Sequence, residues 1–159
     1  MMRLLGIGML AAMVALAGCS SDPEVTETPP VLVKPVMSAD QCGADKPGLQ
    51  WMSGVAPEEW PPSLKRRFNQ VYADGRRDWL VVSLGQRPTA GYNLTLESAA
   101  AEDDILAISV RVNEPGENAM VAQVMTQPCL ILSVLGEGWK DVVVSAPAEG
   151  FPLETTRPE

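Results

Sequence analysis

The second half of the chain is a succession of short apolar segments with the two-residue period of β-strands. Asp78–Leu84 is apolar on both faces, which is typical of a central strand. Residues 92–97 and Ile105–Asn113 alternate apolar and polar side chains, which is typical of strands buried on one face. The remaining predicted strands are 119–126, Cys129–Leu135 and 140–145. Because glycine and proline interrupt these segments and none has helical period, we expect a mainly β domain, an antiparallel sandwich or an open barrel.

The connections in this region carry recognisable turn residues. The Glu-Pro-Gly-Glu-Asn sequence at 114–118 predicts a hairpin loop between two long strands. Pro128 lacks a ladder donor, so a bulge or bend is expected there. Gly136 and Gly138 predict a turn. The acidic residues 102–104 are interpreted as a solvated loop between strands, with a calcium site as the alternative, although the spacing is not that of an EF-hand.

One helix is expected, near the start of the folded domain. Residues 42–62 are irregular, with Trp51 and Val55 as candidate core anchors and a short strand between them. Two prolines then precede apolar residues at three- and four-residue spacing, and Asp74-Gly75 follows, which predicts a short amphipathic helix. Its apolar residues are Leu64, Phe68, Val71 and Tyr72. The basic residues 65–67 form its solvated face, or alternatively a docking patch for an acidic partner.

The first 18 residues have the composition of a secretory signal. Arg3 is followed by an uncharged stretch at 4–17, which is too short to span a bilayer. Leu16-Ala17-Gly18-Cys19 resembles the lipobox of bacterial lipoproteins, which implies cleavage before Cys19 and lipid attached to its thiol. The alternative is an ordinary signal peptide with a chance cysteine. With Ser20 rather than aspartate after the cysteine, we expect a protein anchored in the cell envelope, at the outer membrane facing the periplasm.

Composition divides the mature chain into three segments and excludes several types of catalytic site. Residues 19–37 are rich in proline, threonine and glutamate and predict a disordered tether, 38–145 the β domain, and 146–159 a flexible tail. The chain has no histidine, which excludes Ser-His-Asp triads, Cys-His dyads and histidine-bound zinc. We therefore expect no catalytic residues, metal or cofactor, with catalysis by paired carboxylates as the alternative. Without Arg3 the chain has 11 basic and 20 acidic residues, a formal charge of −9, which argues against nucleic acid as a partner.

Two cysteines remain once Cys19 carries lipid. Cys42 and Cys129 would form one disulfide in an oxidising compartment, joining the beginning of the domain to a late strand. The alternative is two separate thiols, with Cys129 a small buried apolar group.

The segment 82–92, Val-Ser-Leu-Gly-Gln-Arg-Pro-Thr-Ala-Gly-Tyr, is the most distinctive in the chain. It resembles the Leu-Gly-x-x-Pro-Thr-x-Gly-Tyr signature of the PrcB C-terminal domain family. A Pro-Gly pair at 115–116 and Gln-Val-Met-Thr-Gln-Pro at 123–128 follow in the family's order, so the similarity covers roughly 79–134. It implies a non-catalytic envelope lipoprotein that binds and stabilises a secreted protease. Ala90 and Cys129 depart from the family pattern, which usually has glycine and an aromatic residue there.

Residues 87–92 form the candidate partner-binding loop, and each residue type has a physical role in it. Pro88 fixes φ, Gly91 permits a backbone angle that other residues avoid, and Thr89 can bond back to the turn. Tyr92 can pin the loop to the sheet. A rigid loop loses little freedom on docking, but the same residues could simply form a tight corner. The predicted docking residues are Arg87, Pro88, Thr89, Ala90, Gly91 and Tyr92.

A second similarity concerns the same loop. Residues 88–92 are similar to the Asn-Pro-Thr-Thr-Gly-Tyr loop of chagasin-type inhibitors, immunoglobulin-like sandwiches that block cysteine peptidases with three loops. Arg87 replaces the asparagine, the 114–118 loop lacks the expected glycine-rich pattern, and residues 127–129 only partly match the third loop. Peptidase inhibition is therefore the second hypothesis, and a structural envelope lipoprotein without a protease partner is the third.

Overall fold

The computed structural model describes residues 31–72 and 78–158, which form eight strands and one helix. The elements in chain order are β1 (Leu32–Ala39), β2 (Pro47–Met52), α1 (Pro62–Tyr72), β3 (Asp78–Leu84), β4 (Asn93–Glu102), β5 (Ile105–Asn113), β6 (Cys129–Leu135), β7 (Asp141–Ser145) and β8 (Leu153–Thr156). Within these residues, no helix has the length and hydropathy needed to cross a membrane.

The strands form two four-stranded sheets. The first has the order β1-β6-β3-β2 and is antiparallel throughout, and the second has the order β4-β5-β7-β8. In the described residues the sheets do not close into a barrel, so the prediction of a mainly β sandwich with one short helix is confirmed. The expectation of purely antiparallel pairing is wrong at one place, because β5 and β7 are parallel. The chain between them passes through β6 in the opposite sheet, and β7 then enters the second sheet in the direction of β5.

The main core lies between the sheets and is built from alternate residues of each strand. It contains Leu80, Val82 and Leu84 of β3, Leu94 of β4, Leu106, Ile108 and Val110 of β5, Leu130, Leu132 and Val134 of β6, and Val142 and Val144 of β7. The two-residue period in the sequence therefore predicted the buried faces of β4 and β5 correctly.

The helix covers the outer face of the first sheet, which explains why β3 and β6 are apolar on both faces. Leu64 and Phe68 of α1 pack in a second buried cluster with Trp79, Val81 and Ile131. The Phe68 ring makes edge-on contacts with Trp60 and Trp79, with ring centroids 5.7 and 5.8 Å apart. Arg66 and Arg67 are exposed and Lys65 is partly exposed, which agrees with both the solvated face and the docking patch that the sequence left open. The helix is therefore fixed by its apolar stripe, and its basic residues face away from the core.

Both ends of the β domain extend further than the sequence indicated. The predicted tether reached residue 37, but Leu32–Ala39 forms β1, and Met37 is buried against the helix cluster. Proline at position 35 is tolerated because β1 is an edge strand. The predicted flexible tail contains β8, which pairs with β7 and is followed by an ion pair between Arg157 and Asp78 at 2.8 Å.

Three local predictions in the middle of the chain are also wrong. Most of 119–126 is not a strand, since no neighbouring strand pairs with it apart from a bridge at Thr126. Residues 114–118 accordingly begin a long crossing between the sheets and do not form a hairpin. The early strand is Pro47–Met52, so it ends before Val55, whose side chain is 76% exposed and not part of the core.

Candidate functional site

The two segments that carried the family resemblance lie side by side at one end of the sandwich. Arg87 and Thr126 exchange backbone hydrogen bonds of 2.8 and 2.9 Å, and the Ala90 N–H donates to the Ala122 carbonyl at 3.0 Å. The buried Thr126 hydroxyl donates to the Thr89 carbonyl at 2.9 Å. Residues 86–92 and 119–126 thus form one continuous structure, called here the paired-loop surface.

The predicted docking loop is held in its shape by its own residues. Gly91 has a φ of 95°, the left-handed backbone that the sequence suggested. The Arg87 guanidinium lies over the Tyr92 ring, 6.0 Å from its centroid, and Tyr92 packs against the main core. Pro88 is exposed, whereas Thr89 and Ala90 are half-buried against the neighbouring segment. The loop is therefore stiff as well as tightly turned.

Large apolar side chains project from the second half of the paired-loop surface. Met120 is fully exposed, and Val124 and Met125 are 52% and 53% exposed. Exposed apolar residues that lie in one segment are a feature of interaction sites. These three residues are not evident from the sequence, because a strand at 119–126 would bury one of its faces. The available signal was the proline and glycine of 115–116 on one side and Pro128 on the other, which separate the segment from both neighbouring strands.

The disulfide supports this surface from behind. Cys42 and Cys129 are bonded, which decides between the two alternatives left by the sequence. The Cys42 N–H donates to the Gln127 carbonyl at 3.0 Å, and the Gln127 side chain donates to Asp45 at 2.7 Å. The Gln41 amide donates to the Met125 carbonyl at 3.0 Å. The backbone under the exposed residues is thus attached to the covalently fixed segment 40–45.

Of the acidic residues 102–104, Glu102 ends β4, whereas Asp103 and Asp104 form the exposed turn to β5 that the sequence predicted. Asp104 pairs with Lys140 at 3.3 Å. In the part of the chain that the structure describes, no cluster of three or more histidine, cysteine or acidic side chains could hold a metal ion. The paired-loop surface itself presents apolar side chains, amides and one guanidinium, groups suited to packing against another protein.

The fold and this surface define a β-sandwich domain with a rigid, partly apolar loop surface at one end. Residues 79–134 match the family described as PrcB C-terminal, so this segment belongs to the PrcB C-terminal domain family. The match runs from β3 to β6 and contains both halves of the paired-loop surface, as the resemblance predicted. No curated protein and no solved structure matches the chain.

Two further sequence predictions concern the lipid anchor and the inhibitor-type loops. Cys19 and the signal at 1–18 lie outside the described residues. The third inhibitor-type loop would require exposed residues at 127–129, but Pro128 and Cys129 are buried, and Cys129 is in the disulfide. The inhibitor hypothesis therefore has support from one loop only.

Proposed function

We propose that this chain is an envelope lipoprotein whose β-sandwich acts as a non-catalytic binding or stabilising subunit for another protein. The observation that carries the proposal is the union of the two family segments, through the Arg87–Thr126 bridge, into one surface with exposed Met120, Val124 and Met125. A secreted protease is the partner class that the family resemblance suggests.

Rigidity and chemistry both favour a protein partner. The loops are joined by backbone hydrogen bonds and backed by the disulfide, so few degrees of freedom are lost on docking. The exposed side chains can bury apolar area, the dominant favourable term in most protein association. Formal charge is −8 for the whole chain, which favours neither nucleic acid nor anionic lipid.

Membrane attachment rests on Cys19 in this proposal. Replacing Cys19 with alanine removes the thiol that would carry lipid, so we expect loss of palmitate labelling and release from outer-membrane fractions. Metabolic labelling followed by membrane fractionation measures both. A Val55→Ala variant keeps both the lipobox and the disulfide and serves as the labelling control. Undiminished labelling of Cys19→Ala would contradict the anchor.

Docking can be tested with two exposed valines that differ in location. Val124 lies on the paired-loop surface and Val55 lies elsewhere. We expect Val124→Asp to weaken partner capture about tenfold or more, because a charge would be desolvated in the interface, and Val55→Asp to leave capture unchanged. Each change should alter the unfolding free energy by less than about 0.5 kcal/mol, as is usual at exposed sites.

The measurement is photo-crosslinking in intact envelopes. A benzophenone side chain replaces Val124 in one protein and Val55 in another, and crosslinked species are identified by mass spectrometry. A discrete protein crosslinked only from position 124, and competed by untagged wild type but not by Val124→Asp, supports the proposal. Equal crosslinking from the two positions would show that the surface does not dock.

A further inference from the structure

We infer that Met120 and Met125 are an oxidation site, and that converting their side chains to sulfoxides weakens docking at the paired-loop surface. This inference rests on the proposed function, since it assigns a form of regulation to the same surface. The inference goes beyond the proposed function because it names a covalent modification and the two residues that undergo that modification.

Exposure separates these two methionines from the others in the described residues. Met120 has the accessibility of a free side chain, at 103%, and Met125 is 53% exposed. Met37 and Met52 are 8% and 6% exposed and belong to the cluster under the helix. A dissolved oxidant must reach the thioether sulfur, so oxidation is expected at the first pair well before the second. The two accessible sulfurs therefore lie in the same segment as the exposed Val124.

The chemistry is a two-electron oxidation by a peroxide. A sulfur lone pair attacks one peroxide oxygen, the O–O bond breaks, and with hydrogen peroxide the other oxygen leaves as water. The sulfur is oxidised and the peroxide is reduced. The product carries a polar S–O group on a side chain that was apolar, and methionine sulfoxide reductases reverse the change.

The fold should survive this change because the backbone of the segment is held by groups that are not oxidised. The Ala122 carbonyl accepts from Ala90, and the Met125 carbonyl accepts from the Gln41 amide. Thr126 fixes the end of the segment against Arg87. The two methionine side chains project from this support, so their polarity affects what docks and not what packs in the core.

The first measurement follows oxidation of the full-length lipoprotein in mild detergent by dilute hydrogen peroxide. Peptide mass spectrometry should show Met120 and Met125 oxidised about tenfold or more faster than Met37 and Met52, without a change in melting temperature. Equal rates for all four residues, or unfolding that accompanies oxidation of Met120, would overturn the inference.

The second measurement uses the Val124 photo-crosslink as its probe. Full oxidation should lower the crosslink yield about tenfold, and treatment with sulfoxide reductases should restore it. A Met120→Leu/Met125→Leu variant keeps the apolar volume and cannot form sulfoxides, so its yield should be insensitive to peroxide. A similar peroxide-induced loss in this variant would assign the effect to other residues and overturn the inference.

The outcomes distinguish the inference from the proposed function. An unchanged crosslink after complete oxidation of Met120 and Met125 would refute regulation while leaving the docking surface intact. Absence of any position-specific crosslink before oxidation would refute the proposed function and, with it, the regulatory consequence. The ratio of oxidation rates would still decide whether the two methionines are the oxidation site.

Discussion

Replacing Cys42 and Cys129 together with alanine should lower the free energy of unfolding by about 4.6 kcal/mol, according to the chain-entropy account of disulfides. The bond joins residues separated by 87 positions, so its loss frees a long loop in the unfolded chain. It also releases the segment 40–45 from the back of the paired-loop surface. A loss of this size is a large share of the stability of a typical single domain.

Denaturant unfolding of the wild type and the double variant measures the change. The wild-type protein, unfolded without reductant, should show no reactive thiol, and a reducing agent should lower its midpoint toward that of the variant. A Cys42→Ala/Cys129→Ala protein with wild-type stability would show that the 40–45 segment is held by its hydrogen bonds alone.

The parts of the fold that sequence predicted are those fixed by local periodicity. β3 and β6 are continuous apolar runs bounded by turn residues, and Phe68 sits at helical spacing from Leu64, so their structure is evident without knowledge of their neighbours. β1 and β8 could not be found in this way. β1 contains a proline and β8 is only four residues long, and each is a strand because an adjacent strand supplies its hydrogen bonds.

The candidate site was predicted in pieces and not as a whole. The turn chemistry of 87–92 and the pairing of the two remaining cysteines were evident, because each follows from residue type. The alignment of 119–126 with that loop depends on contacts between positions about 37 apart, such as the Thr126 hydroxyl and the Thr89 carbonyl. The apolar composition of that segment favours a strand, but apart from the bridge at Thr126 no neighbouring strand pairs with it. Met120 and Val124 lie exposed in this unpaired part of the segment.

Gly85→Ala should be the most damaging substitution in the family signature, lowering the unfolding free energy by about 3 kcal/mol or more from backbone strain and overpacking together. Gly85 has a φ of 77°, and an added Cβ would lie 2.8 Å from the carbonyl carbon of Lys46 and from the nitrogen of Pro47. These are backbone atoms and cannot rotate away. The displaced chain would be the 45–47 segment, where the Asp45 carbonyl accepts from Gln86 at 3.0 Å.

Two other glycines calibrate this effect in the same unfolding experiment. Gly91→Ala meets only the side chains of Pro115 and Val121, at 3.1 and 3.2 Å, so we expect the left-handed backbone cost of about 1–2 kcal/mol with little more. Gly116 has no atom within 4 Å of an added Cβ, and its alanine variant should change stability by less than about 0.5 kcal/mol. The three variants therefore separate two causes of lost stability. Gly85→Ala has steric overlap with the backbone in addition to φ strain, Gly91→Ala has mainly φ strain, and Gly116→Ala has neither. Equal losses at Gly85 and Gly91 would mean that the 45–47 segment yields, and that the glycine before the docking loop is required for its φ angle alone.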